Sequence, residues 1–448
     1  MAIKTKAQQP LEVAVIGGGV VGLALVTGLL YRGVSVKVYE KSSSFRPVGA
    51  GIGFTPNAMR ALGMLHPKAL EAQQKVATAN GDPDDPNDWI RYLDAYHHNS
   101  EEDEEVTIFK LYCGRRGFEG CVRADFMNEL LKIIPDGIIE FGKSLENIID
   151  RGDDEKVLMQ FRDGTTAEAD IVIGCDGIKS EVRKIILGKN HLAAEPSYNH
   201  QYALRGLVPM DKAIAALGEY KGRNRHMHLG PGSYVATVPV ALGKAINLVA
   251  FIQDPDEWPD TTQLTAPADK EKVLQAFNDF GRPVRNLIRT VVDTSPRLDK
   301  WGIFDCVDRQ SPTFTKGRVC IAGDAAHAAS PHHGAGAGMG MEDNLVLAVL
   351  LAEVATSEEG QDNRAASIRA ALTAYSNVRL ERTQWVAESS RTIGELLEWR
   401  YPPTMSDWEK CEAELTWRSH KIWHHDQEAM LRTAQADYER ILHRTIDT

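Results

Sequence analysis

Three groups of residues in this chain have the types and spacings that chemistry needs. The first is Gly17-x-Gly19-x-x-Gly22, which follows the apolar run Val13-Ala-Val-Ile and opens a helix-forming stretch. Gly17 allows a tight strand-to-helix turn, Gly19 lets a pyrophosphate approach bare backbone, and Gly22 lets the helix pack closely on the sheet. The helix N-terminus adds free N–H groups for the phosphates. Glu40 closes the next strand, where a carboxylate can accept hydrogen bonds from a ribose. The alternative is a glycine-rich turn with no ligand, and glycines alone do not separate one dinucleotide from another.

The second group is Val319-Cys-Ile-Ala-Gly323-Asp324-Ala-Ala-His327, running on into Pro331-His-His-Gly334-Ala-Gly336-Ala-Gly338-Met-Gly340. A strand ending in Gly-Asp can present its carboxylate to the hydroxyls of a ribityl chain. Alternating glycines let backbone lie against a flat ring. The helix that follows points its N-terminus at that ring, which favours the negative charge of a reduced flavin. FAD is therefore the dinucleotide expected, against the alternative of a flexible Gly/Ala loop. The third is Arg205, a charge interrupting the apolar strand Tyr202-Ala-Leu-Arg-Gly-Leu-Val. It must reach solvent or find a partner. A phenolate would serve, because a nearby cation lowers a phenol's pKa; an outward-facing strand arginine is the other reading. His226-x-His228 and His332-His333 have no cysteine or carboxylate spacing that completes a metal site, so no metal is expected.

These residues need elements to hold them. Val13–Ile16, a helix over 20–31 and a strand over 35–40 form a βαβ unit. A hairpin is expected from 156–161 and 166–173 around Asp163-Gly164. Strands at 203–208, 226–229, 234–240 and 245–251, with few helices between them, suit a separate mixed or antiparallel sheet. Val319–Ala322 reads as a buried strand and 341–356 as an apolar helix. The Trp-rich remainder (Trp385, Trp399, Trp408, Trp417, Trp423) reads as helical, its tryptophans packing anchors or, alternatively, a lid or homodimer face. The fold class expected is α/β: a discontinuous Rossmann-like FAD-binding domain (10–190 and 300–375), a substrate sheet domain (191–299) and a C-terminal helical region (376–448).

Gly17-x-Gly19-x-x-Gly22 with Glu40, then Cys175-Asp176-Gly177, then Gly323-Asp324 with Pro331 resemble, in order, the class A flavoprotein monooxygenases of the salicylate-hydroxylase type. Arg116-Gly-Phe118-Glu119, Arg205-Gly-Leu, the His332-His333-Gly334 loop and Arg418-Ser-His-Lys-Ile-Trp423 resemble the fungal hydroxylases that dearomatise polyketide phenols. The resemblance implies non-covalent FAD, transient NADPH or NADH, O2 and a phenolic small-molecule substrate. It implies that Glu40 holds the adenosine ribose and that Gly53, in Gly49-Ala-Gly51-Ile-Gly53, lies beside the flavin. By the same resemblance Arg123 contacts the phosphate or ribityl region, Asp176 helps hold FAD, Asp324 takes the ribityl chain, and Pro331, Gly336 and Ala337 flank the ring. Arg205 would clamp the phenolate. Some relatives place a Tyr where this chain has Val238; Tyr234, an even offset away, is the substitute candidate for a catalytic role, with Phe118 packing on the substrate ring. A salicylate-type hydroxylase that keeps aromaticity and a non-catalytic flavin-fold protein are the competing readings.

Composition narrows the classes further. In 448 residues, 62 acidic against 51 basic side chains give a charge of −11, which argues against a nucleic-acid partner held by phosphate attraction. Six scattered cysteines form no CxxC pair. The first residues carry charge and no apolar core, and glycines break up the uncharged stretch 13–31, so neither a leader nor a membrane span is expected and a cytoplasmic location is.

Overall fold

Val13–Ile16 is apolar on every residue, as a strand covered on both faces must be. In the computed structural model, which describes residues 10–45, 51–82, 89–97, 105–114, 117–358 and 362–446, Glu12–Ile16 lies inside a six-stranded sheet. The spatial order is Thr315–Lys316, Val319–Ile321, Ile171–Gly174, Glu12–Ile16, Ser35–Glu40, Ile139–Phe141, parallel except for the first pair. The helix Val20–Tyr31 runs as expected and ends at Arg32-Gly33, with Gly33 in the left-handed region.

The expected hairpin is shorter than its sequence pattern. Val157–Phe161 pairs with Thr166–Ala169, but Ile171–Gly174 leaves to join Glu12–Ile16 in parallel. Alternation alone could not see the break, because Ala167, Ala169, Ile171 and Ile173 keep an apolar residue at every second position across it.

The second large sheet has eight strands, ordered Thr265–Pro267, Asp299–Asp305, Ser197–Pro209, Ala245–Gln253, Ser233–Val240, His226–Gly230, Trp89–Asp94, Val106–Tyr112. Trp89–Asp94 and Val106–Tyr112 come from the stretch the sequence assigned to the FAD-binding domain, and so does all of Asp299–Asp305 but its first residue, so a sheet domain cut at 191–299 leaves them out. Leu204, Val235, Leu248 and Ala250 point to one face and pack on the helices Lys270–Ala276 and Arg282–Thr294. Ala203, Tyr234 and Phe251 point to the other. A two-stranded ribbon, Gly51–Phe54 with Glu119–Val122, lies beside that second face: Val238 on the sheet approaches Gly120 on the ribbon.

The apolar helix begins at Gly336 and ends at Thr356, five residues earlier at its start than the sequence suggested. Gly338 and Gly340 belong to its first turns rather than to a loop. A Cβ on Gly340 would stand 2.5 Å from Val21 and one on Gly338 3.0 Å from Thr55, so these glycines let this helix press against its neighbours. The helix Arg364–Leu397 follows, unbroken for 34 residues, so no boundary falls at 375/376. Trp408–Trp423 and Gln427–Ile446 complete the chain. Trp399 packs on Trp408 and Trp385 on Trp417, the anchoring role expected. Among the described residues no helix is long and apolar enough to cross a membrane.

Candidate active site

The Gly17–Gly22 turn has the geometry its spacing requires. Gly17 has φ +102°, and a Cβ there would meet the Cys175 carbonyl at 2.6 Å. A Cβ on Gly22 would lie 2.1 Å from the Gly17 carbonyl. Gly19 differs: its nearest neighbour would be the Arg123 guanidinium at 3.6 Å, so the backbone there is open to a ligand. Glu40 is fixed by backbone donors, Gly18 N–H at 2.7 Å to one oxygen and Ser42 N–H at 2.8 Å to the other. Each oxygen keeps a lone pair for a hydroxyl.

Arg123 starts the helix Arg123–Leu131 with its side chain exposed beside Gly19. Asp324 starts the short helix Asp324–His327. Its residue surface is solvent-accessible, yet surrounding protein desolvates the carboxyl and pushes its pKa up, against the pull of His327, Arg123 and Arg205. Such a group sits deep in a cleft. Among the described residues nothing hydrogen-bonds that carboxylate. Arg205 faces the same cleft: desolvation lowers its pKa while Asp324 raises it, and its guanidinium lies 5.1 Å from the Trp301 ring centre. That coupling favours the cleft-facing reading over the outward-facing one.

Register explains why. Arg205 pairs with Val249, Val249 with Ala236, and Asn247 with Val238, so these side chains share one face. Along it, Arg205 and Leu207 are exposed and Ala236, Val238, Asn247, Val249 and Trp301 half-exposed, although they lie well inside an eight-stranded sheet. Central-strand residues on that face would be buried unless a cleft lay over them. Asn247 accepts the Gly51 N–H at 3.0 Å, tying this floor to the ribbon.

Several expected roles change. Gly53 is backed by Phe118: a Cβ on Gly53 would stand 2.2 Å from that ring, and one on Gly334 2.8 Å. Phe118 is thus wedged between two glycines, with Val238 against the neighbouring Gly120. Tyr234 shares Val238's face, but it is only 1% exposed, stacks on Phe251 and is bonded to His332 Nδ1 at 2.6 Å. Burial, with His333 and Arg400 nearby, lowers the His332 pKa to about 3, so the ring is neutral. Tyr234 does not line the cleft. Asp176 accepts from Ser180 Oγ at 2.5 Å and from the Glu181 and Val182 N–H groups, so it holds the start of the helix Glu181–Leu187. Pro331 opens a single turn, Pro331–His333, before Gly334 at φ +62°. Gly336, with open space around it, and Ala337 then present the long helix's N-terminus. His228 is buried against Glu105 at 2.5 Å, and His226 bonds the Asn224 carbonyl. Arg116 and Gly49 lie outside the described residues.

The sequence reading missed the groups that hold this site together. Fully buried Arg379 bonds Asp343 at 2.8 Å and Glu342 at 2.7 Å. Asp343 also takes His327 Nε2 at 2.6 Å and the Gly323 N–H at 2.8 Å. Burial raises the Glu342 pKa, but Arg379 and Arg382 win and hold it at about 2. Buried Arg183 donates to the Ala325 and Ala326 carbonyls. The Asp324 turn is thereby clamped from two sides. The available signal was Glu342-Asp343 inside an apolar helix, two charges that must have a buried partner.

An open backbone at Gly19, a fixed ribose-directed carboxylate and an unpartnered Asp324 along one cleft suit FAD. The family model described as FAD binding domain matches residues 265–389. FAD-dependent monooxygenase pigN of Monascus ruber is 51% identical over 439 residues, covering 98% of this chain and 99% of that protein. Salicylate hydroxylase asL1 of Sarocladium schorii is 41% identical, covering 96% and 92%. A solved salicylate hydroxylase substrate complex superposes with a TM-score of 0.80 at 33% identity, over 95% of this chain and 98% of that one. These likenesses run almost the full length of the chain and agree with the cleft, so a purely binding role falls away and the chain belongs to the FAD-dependent monooxygenases of the salicylate-hydroxylase type.

Proposed function

We propose that this enzyme hydroxylates the ring of a phenolic polyketide, resorcinol- or orcinaldehyde-like, at a substituted carbon, so that the product is a non-aromatic quinol. NAD(P)H and O2 are the co-substrates usual for this class. The reading rests on Arg205, the one cation on a floor otherwise made by Leu207, Ala236, Val238, Asn247, Val249 and Trp301 among the described residues, its guanidinium lying over the face of Trp301.

The chemistry FAD supplies when bound is hydride acceptance and delivery of one oxygen atom of O2. Glu40 would take the ribose, Arg123 the phosphate or ribityl region, and Asp324 the ribityl hydroxyls. The N–H groups at Gly336 and Ala337 favour negative charge on the ring beside them. Arg205 pairs with the phenolate and lowers the phenol's pKa, leaving the ring electron-rich for attack on oxygen. Val238 and Phe118 wall the ring and exclude water. Cys121, Cys175, Cys306, Cys320 and Cys411 are buried and form no disulfide, which supports a reducing compartment, and we place the enzyme in the cytoplasm on that ground.

A carboxylate could take the same arginine, which keeps salicylate-type hydroxylation as the second reading. Product analysis separates the two: a quinol with a new stereocentre, or a catechol-type aromatic product. Arg205→Ala should retain FAD and lose about 100-fold in turnover with an ortho-acyl phenol. Arg205→Lys keeps the charge without the planar fork and should recover only part of it. Near-normal turnover in Arg205→Ala would place the substrate elsewhere.

A further inference from the structure

Three chain segments meet at His332. Its Nδ1 is hydrogen-bonded to the Tyr234 hydroxyl, and its ring lies 4.9 Å from that of Phe251 on the substrate sheet. On the far side, Gly394 of the helix Arg364–Leu397 backs the imidazole so closely that a Cβ there would stand 2.5 Å from Nε2. The end of that helix is pinned to the same sheet. The Glu398 carbonyl accepts the Gly232 N–H at 2.9 Å, two residues before Tyr234, and the Glu398 carboxylate is bonded by Gln201 and Arg400. His332 itself belongs to the Pro331–His333 turn that leads into Gly336 and the helix N-terminus facing the cleft.

We propose that the Gly394–His332–Tyr234 contact sets the separation between the substrate sheet and the segment Pro331–Ala337, and so decides how much O2 ends in hydroxylated product rather than in hydrogen peroxide. The inference rests on the ring-hydroxylation reading above and adds a determinant of its coupling. In the coupled reaction NAD(P)H, a proton, O2 and the phenol give NAD(P)+, water and the hydroxylated product; uncoupled, NAD(P)H, a proton and O2 give NAD(P)+ and hydrogen peroxide. Oxygen transfer needs reacting atoms about 3–3.5 Å apart, and a misplacement of about 1 Å can cost roughly 100-fold. Peroxide release needs no such alignment. Arg205 and Val238 ride on the sheet, whereas Gly336 and Ala337 open the helix that the Pro331–His333 turn leads into, and His332 is wedged where sheet and turn are tied. Gly394, His332 and Tyr234 are positioning residues: Tyr234 does not line the cleft, and Gly394 meets it only through the imidazole.

The test compares FAD-loaded wild type, Gly394→Ala and Tyr234→Phe, using an ortho-acyl resorcinol as the probe. Product and peroxide are measured per NAD(P)H, the visible flavin spectrum is recorded with and without the phenol, and melting is followed in parallel. In both variants product per NAD(P)H should fall about tenfold, peroxide should rise to match, the phenol's Kd should hold within about threefold, and the flavin bands should shift. Shortening the imidazole in Gly394→Ala/His332→Asn should restore part of the coupling, which a merely structural defect would not. Wild-type coupling in both variants overturns the proposal. If Gly394→Ala does not fold, Tyr234→Phe, which removes one hydroxyl, decides alone. If wild type itself hydroxylates no phenol, the substrate reading fails separately, and phenol-free flavin spectra unchanged between wild type and variants would still overturn the contact's role.

Discussion

Arg379 and Asp343 meet at 2.8 Å with neither side chain reached by solvent. The pair joins the helix Arg364–Leu397 to the helix Gly336–Thr356, and through His327 and the Gly323 N–H it fixes the turn that carries Asp324. Arg379→Met fills similar space but takes one fully buried cation from two core carboxylates, leaving Arg382 to Glu342 and His327 with the Gly323 N–H to Asp343. It should cost about 3–5 kcal/mol of stability and lower FAD retention together. Chemical denaturation alongside flavin release by filtration checks this; a stable variant with normal FAD content would show that the carboxylates find other donors.

The same carboxylates show how unevenly the sequence speaks. The Gly17–Gly22 turn was legible because its constraints are local: backbone conformation and contact with the adjacent strand. Arg205 was legible as an anomaly, a charge in an apolar strand, but only register across three strands shows that it faces the cleft. Tyr234 was placed on the correct face by alternation, yet its hydroxyl belongs to His332, 98 residues away, and no pattern within the strand could report that. Gly53 reads as a cofactor contact because glycine records only that something lies close; what lies in its Cβ direction is Phe118, which the glycine could not name. Trp301 carried no signal at all, since a half-exposed tryptophan on a strand looks like any other.

FAD should be bound without a covalent link and should depend on Asp324. That carboxylate has no hydrogen-bond partner among the described residues, so a ribityl hydroxyl is its natural donor. Asp324→Ala removes a charged acceptor worth roughly 1.5–3 kcal/mol, a loss of about 10- to 150-fold in FAD affinity. Fluorescence titration of the apoprotein measures it. Denaturing wild type and filtering it tests the linkage: flavin retained on the polypeptide would refute non-covalent binding, and an unchanged Kd in Asp324→Ala would remove Asp324 from the site.

Glu398 should make stability fall as the pH rises. Its burial pushes the carboxyl up to about 7, against the pull of Arg400 and Gln201, from an ordinary value of 4.5. A folded-state pKa above the unfolded one gives a contribution fully present below about 4.5 and lost as pH climbs through about 7. The difference amounts to at most about 3 kcal/mol. Glu398→Gln cannot ionise, so its stability relative to wild type should improve between pH 5 and pH 8. Melting curves at those two pH values decide it; a constant offset would mean that Glu398 is ionised throughout, held by Arg400.

The turn between Ser233–Val240 and Ala245–Gln253 holds avoidable strain. Ala241 has φ 53° and Leu242 φ 55°, both left-handed, and Gly243 follows at φ 80°. Only Gly243 suits that conformation; for the others a Cβ crowds the following carbonyl, at about 1–2 kcal/mol per residue. Leu242 is 64% exposed, so little packing repays the strain, while its N–H donates to Thr78 Oγ1 at 3.0 Å. Leu242→Asn keeps that N–H and adopts the left-handed region more readily. It should stabilise the protein by about 0.5–1 kcal/mol, raising the melting midpoint by roughly 0.5–1 °C. Leu242→Pro lacks the N–H and cannot adopt a positive φ, so it should destabilise. Parallel melts of the three proteins test the pair. If Leu242→Asn melts below wild type, the leucine side chain contributes packing that outweighs its strained backbone.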